Sequence, residues 1–146
     1  VQGLTVAVPA AGVAPPMLAS ALIDFGDGQA TLSFDAATPF GPQDTAYVAG
    51  TEGSLAARGP DLGSQQVELW TKAGVARPAL EGQWFNDGFA GTMGELLCAI
   101  EEGREPANGA RANLDSLALC FAAVASAREG RPVAPWTARR LPPQDA

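Results

Sequence analysis

An α+β fold is what the sequence predicts, and three observations carry the prediction. Between Leu4 and Lys72, apolar residues alternate with period two in short runs separated by Gly, Pro and Asp, the pattern of antiparallel strands and hairpins. From Trp84 onward they recur at spacings of three and four, the pattern of amphipathic helices. Of the 146 residues 47% are apolar and 17% charged, which suits a core that needs neither metal nor disulfide staples. Strands first and helices afterwards describe an open antiparallel sheet of about six strands with two helices packed on one face. This α+β domain is expected over residues 1–135, with an extended Pro-rich tail over 136–146 held down by Trp136.

The six strand runs are LTVAV, MLASALIDF, QATLSFDA, TAYVAG, SLAARG and QQVELWTK. The first 23 residues carry no charge, yet Gly3, Pro9, Gly12, Pro15 and Pro16 interrupt them and no basic segment precedes them. They therefore read as a strand and a loop, not as a membrane span or signal peptide. A chain starting at Val1 suggests a piece of a longer one. The clearest hairpin is ALIDF-GDG-QATLSF, with Asp27 and Gly28 expected to supply the positive torsions of the turn. It places Ala19, Ala21, Ile23, Phe25, Ala30, Leu32 and Phe34 on an oily face, with Ser20, Asp24, Thr31, Ser33 and Asp35 opposite. GTEGS makes the second tight turn. With helices on the oily face, Thr45, Tyr47, Gln66, Glu68 and Trp70 fall on the open one, a mixture of aromatic and polar groups that suits a subunit interface or an ordinary solvated surface.

The first helix carries an apolar stripe through Phe85, Phe89, Met93, Leu96, Leu97 and Ile100, with Asn86 or Asp87 as N-cap and a stop at Gly103. Gly88, Gly91 and Gly94 lie on its other side, each costing about 1 kcal/mol relative to alanine. Such a face either admits a close neighbour or marks a helix that starts later. The second helix should run from about Ala110 to Glu129, with Leu114, Leu117, Ala118, Phe121, Val124 and Ala125 on its main face, Gly130 as C-cap and Pro132 beyond. Its flanks are also small and apolar, so it should be the more buried of the two.

Composition excludes several chemistries. A net charge of −7 opposes binding to a phosphate backbone. With no histidine there is no Ser-His-Asp or Cys-His catalysis and no histidine metal ligand. Cys98 and Cys120 are not in CxxC spacing and read as buried free thiols, consistent with a reducing, cytoplasmic setting. GDG, GTEGS and FAGTMG match neither a dinucleotide fingerprint nor a P-loop. No catalytic, cofactor-binding or metal-binding residue is assigned. One segment, EGQWFNDGF, gathers Trp84, Asn86 and Asp87 at a helix N-terminus, where an aromatic wall, an amide and a carboxylate could meet a hydroxylated ligand. Capping with a hydrophobic staple explains the same residues without one.

In this order and spacing, LIDFGDGQATLSF, GTEGSL, WFNDGFAGTMGELLCAIEEGREPANG and ASAREGRPV resemble the C-terminal domain of the glucose-fructose oxidoreductase/inositol dehydrogenase family, over about residues 18–135. The resemblance implies a parent enzyme whose N-terminal Rossmann domain binds NAD or NADP. This domain would supply part of a pocket for a sugar, cyclitol or related polyol and form homo-oligomers through the open sheet face. Trp84, Asn86 and Asp87 are the positions it offers as substrate-side residues. The family's dinucleotide fingerprint, its Glu-Lys-Pro lysine and its Asp-x-x-x-His pair have no counterpart here and are expected before Val1, so the chain alone should lack redox activity. The alternative is a non-enzymatic α+β module that binds a protein partner through the same sheet face.

Overall fold

A computed structural model of the chain describes residues 1–6, 12, 16–61 and 63–140. Among these residues are seven strands and two helices: β1 (Gln2–Val6), β2 (Leu18–Asp24), β3 (Gln29–Asp35), β4 (Asp44–Ala49), β5 (Gly53–Gly59), β6 (Gln66–Thr71), β7 (Gly74–Ala76), α1 (Trp84–Glu102) and α2 (Ala110–Glu129). The class is α+β and all the strand pairs are antiparallel. The end of the first predicted run, Ala7 and Val8, lies outside the described residues.

The expected single sheet is two: β1-β2-β3 and β4-β5-β6-β7. The chain divides accordingly into two compact units, Val1–Ala37 with Ala107–Ala146, and Thr38–Pro106. The break falls at Ala36–Gln43, where Pro39 and Pro42 have no backbone N–H to donate to a ladder and Gly41 takes a left-handed torsion. The Asp35 carboxylate accepts from the Ala37 N–H at 2.8 Å, turning the chain out of β3.

In the first unit the hairpin register is the one that alternation predicts. Ala19, Ala21 and Ile23 lie opposite Phe34, Leu32 and Ala30, while Ser20 faces Ser33 and Leu22 faces Thr31 on the other side. The turn differs: Gly26 carries the positive φ (89°), not Asp27 or Gly28, and its N–H is taken by the Asp24 carboxylate at 2.8 Å. An Asx turn one residue earlier thus replaces the expected Asp-Gly turn.

Helix α2 packs on β1 through small groups. A Cβ on Gly3 would come within 2.4 Å of the Ala123 carbonyl oxygen, so only glycine lets strand and helix approach this closely. The Gly3 N–H donates to Ser126 Oγ (2.9 Å), and the Ser126 hydroxyl donates to the Arg131 carbonyl (2.7 Å). Ser126 is fully buried, and its one hydroxyl satisfies the buried Gly3 N–H and the part-buried Arg131 carbonyl together. Beyond the helix, Val133 exchanges backbone hydrogen bonds with Val1 and packs on Ala122 and Ala125. Gly130 closes α2 in a left-handed conformation, as expected.

In the second unit, GTEGS joins β4 to β5 with the Gly50 N–H bonded to the Gly53 carbonyl. Helix α1 ends at Gly103 as predicted, but it begins earlier than predicted: Gln83 is the N-cap, and neither Asn86 nor Asp87 is. Asp87 still caps from inside the first turn, its carboxylate accepting from the Gln83 N–H at 2.5 Å. Glu95 and Glu102 both hold the Arg104 guanidinium just past the C-terminus, Glu95 chiefly, raising its pKa further above the normal arginine value.

The packing of α1 is the main departure from expectation. It makes no extensive contact with any strand among the described residues, and Ala99 is its one buried residue. Phe85 is 66% exposed, Phe89 56% and Ile100 68%. The expectation of two helices on one face therefore holds for α2 alone. Leu114 and Leu117, predicted on α2's main face, are also about half exposed, because its buried residues are the small ones: Ala118, Ala122, Ala125 and Ser126.

Candidate functional site

The β4–β7 sheet presents two chemically different faces, fixed by its register. One carries the rows Thr45–Arg58–Gln66, Tyr47–Ala56–Glu68 and Ala49–Ser54–Trp70. All five residues predicted for the open face, Thr45, Tyr47, Gln66, Glu68 and Trp70, are thus on one side. Ala56, in the middle of the central row, is only 3% exposed, and with Arg58, Gln66 and Glu68 it lines a small hollow of about 70 Å³. The Tyr47 hydroxyl lies 3.3 Å from Ser54 Oγ, and Arg77 pairs with Glu68. Tyr47 itself is 67% exposed. The opposite face carries Ala46–Ala57–Val67 and Val48–Leu55–Leu69–Ala76. These central rows are apolar, but Asp44–Gly59 borders them at one end and Gly53–Thr71–Gly74 at the other, where a shallow hollow of about 420 Å³ is lined by Glu52 and Thr71 as well as Val48, Leu55 and Leu69.

The residues offered as substrate-side positions share the first turn of α1. Trp84 lies 5.7 Å from Phe85 and 6.3 Å from Phe89 between ring centroids, and those two are 5.2 Å apart. The result is a three-ring cluster at an exposed helix start. Asn86 stands two residues on from Trp84, at the edge of the apolar stripe that Met93 shares seven residues later. Asp87 points back to Gln83 and lies against Gly82. Of the three residues, then, Trp84 belongs to an aromatic surface and Asp87 serves the cap. Around Gly88, Gly91 and Gly94, nothing comes within 4 Å of where a side chain would begin. The close neighbour expected at this glycine face is not supplied by the described residues.

A third feature was not singled out in the sequence. In the first unit a cleft of about 400 Å³ opens between the oily face of β1–β3 and α2, lined by Thr5, Ala19, Ala21, Ile23, Leu32 and Phe34 on one wall and Ser116, Leu119, Cys120 and Ala123 on the other. It exists because α2 seats over the β1 edge and leaves the rest of the face uncovered. The signal was the width of that face: three strands of apolar residues are wider than one helix. No charged side chain lines the cleft, so it offers no acid–base pair.

Cys98 and Cys120 are free, as expected, but both are exposed and not buried. Helix propensity does not distinguish a thiol on the packed side of a helix from one beside it. Among the described residues there is no group of three or more side chains that could hold a metal ion, and no helix is long and apolar enough to cross a membrane. Comparisons with protein-family models, with curated proteins and with solved structures return no match for this chain.

Proposed function

We propose that the chain is a substrate-side and assembly domain of an NAD(P)-dependent oxidoreductase acting on a sugar, a cyclitol or a related polyol, with the cofactor and catalytic groups supplied by a separate Rossmann domain. The observation that carries this reading is the exposed ring cluster of Trp84, Phe85 and Phe89 beside Asn86 at the start of α1, in one of the four segments that together carry the family resemblance. Aromatic rings cover the C–H faces of a polyol while an amide meets its hydroxyls. Tyr47 and Trp70, on the mixed sheet face, support oligomer formation, since such residues are enriched in interfaces. A cytoplasmic setting belongs to the same proposal.

Two measurements test it. The codons preceding Val1 should encode a glycine-rich dinucleotide fingerprint; a start codon at Val1 without that segment would refute the assignment. Calorimetric titration of the 146-residue chain with NAD or NADP should show no saturable binding, and the chain with coenzyme and polyol should transfer no hydride. The second reading, a non-enzymatic interaction module, is favoured by the mixed face alone. Trp70→Ala would then abolish partner capture while Trp84→Ala left it unchanged.

A further inference from the structure

The chain that follows α2 is both pinned and strained. Val133 is buried and exchanges backbone hydrogen bonds with Val1, and Ala138 packs on the cluster of Ala122, Ala125 and Val133. Between these anchors Thr137 closes a turn, its N–H and its hydroxyl both donating to the Ala134 carbonyl, at 3.4 and 2.6 Å. Trp136 lies in this turn with a φ of 69°, the one non-glycine residue in the left-handed region among the described residues. A bulky side chain is strained there, and such strain persists only where the surroundings impose it. Burial does not offset it, for Trp136 stays 48% exposed.

The turn makes the indole one wall of a hollow of about 220 Å³, whose other wall is Leu114, Leu117 and Phe121 of α2 and whose one charged lining residue is Arg139. Leu114 and Leu117 are about half exposed, so the hollow opens to solvent. Arg77, Arg104 and Arg131 each pair with a glutamate, whereas Arg139 has no ion-pair or hydrogen-bond partner among the described residues. In a chain of net charge −7 most of the surface repels anions, and this unpaired guanidinium attracts one. The nearest acid along α2, Asp115, stands one residue and 100° round the helix from Leu114. Apolar walls, an indole and a single cation together select an aromatic carboxylate: its ring stacks on Trp136 and its two oxygens take the guanidinium fork. The hollow is smaller than the roughly 300–1,000 Å³ pocket of a drug-sized ligand, which limits the occupant to one or two rings.

We propose that the hollow between α2 and the Trp136 turn binds a small aromatic monocarboxylate, with Arg139 on the carboxylate and Trp136 and Leu117 against the ring. This site uses none of the residues of the Trp84 cluster and does not rest on the oxidoreductase reading.

Titration of the full chain with 3-phenylpropionate, followed through the indole N–H resonances of Trp70, Trp84 and Trp136, tests the proposal. The Trp136 resonance should shift saturably, with a dissociation constant of about 5 mM or tighter, while the other two stay in place. The neutral isostere 3-phenylpropionamide should bind about tenfold or more weakly, and Arg139→Gln should remove that difference by weakening the acid alone. Trp136→Gly should weaken both ligands by about tenfold or more; glycine suits the left-handed torsion, so this variant keeps the fold of the turn. Acid and amide bound alike by the unmodified chain, or a difference that survives Arg139→Gln, would overturn the carboxylate assignment. No saturation by 50 mM, saturation that moves Trp70 or Trp84 in place of Trp136, or undiminished binding by Trp136→Gly would overturn the site.

Discussion

Helices α1 and α2 differ by one residue in length, and each carries apolar residues at helical spacing, yet α2 is seated and α1 is not. The seated helix meets its strand through Gly3, Ala123 and Ser126, small groups that let the backbones approach and bond. The unseated one presents Phe85, Phe89, Met93 and Ile100, each worth about 1.5–3 kcal/mol if fully buried, and leaves them in solvent. Size on a stripe therefore says how much a helix gains from a partner, and smallness says where it already has one. Hydrophobic amplitude alone would have ranked the two the other way.

The strongest way to break the contrast is to unseat α2. Gly3→Leu places a Cβ 2.4 Å from the Ala123 carbonyl oxygen, against backbone that cannot yield cheaply. It should cost about 3 kcal/mol or more and expose α2, seen as a fall in the denaturant midpoint. Next is Ser126→Ala, which leaves the buried Gly3 N–H and the part-buried Arg131 carbonyl without their partner. About 1–3 kcal/mol should be lost, seen as a lower denaturant midpoint.

The remaining changes sharpen the other side of the comparison. Gly91→Ala meets nothing within 4 Å, so it should stabilise α1 by about 1 kcal/mol, read as higher helicity and a higher melting temperature. Lower stability would mean that the glycine face is packed. Asp87→Ala removes the acceptor of the Gln83 N–H and should cost about 0.5–1 kcal/mol, with frayed Trp84 fluorescence as its sign; Asp87→Asn should recover most of it.

How much was legible follows from what each signal measures. Alternation fixed the hairpin faces, because Ala19, Ala21 and Ile23 can share a side with Leu32 and Phe34 in one register only. It also placed Thr45, Tyr47, Gln66, Glu68 and Trp70 together. Glycine marked both helix ends, at Gly103 and Gly130, since each needs a left-handed torsion. The division into two sheets was not legible, because alternation marks each strand and not which strands pair across the segment that holds Pro39 and Pro42. The position of α1 was not legible, because a periodic stripe records what a helix can bury and not what it meets. Of the residues at its start, Asp87 was read as N-cap or ligand; its carboxylate reaches one turn back, a geometry that spacing alone does not select.

Amide hydrogen exchange in dilute solution tests the central contrast most directly. Residues 84–102 should exchange far faster than residues 110–129. Equal protection of both helices in dilute solution would show that α1 is covered within its own chain, and the contrast would be wrong.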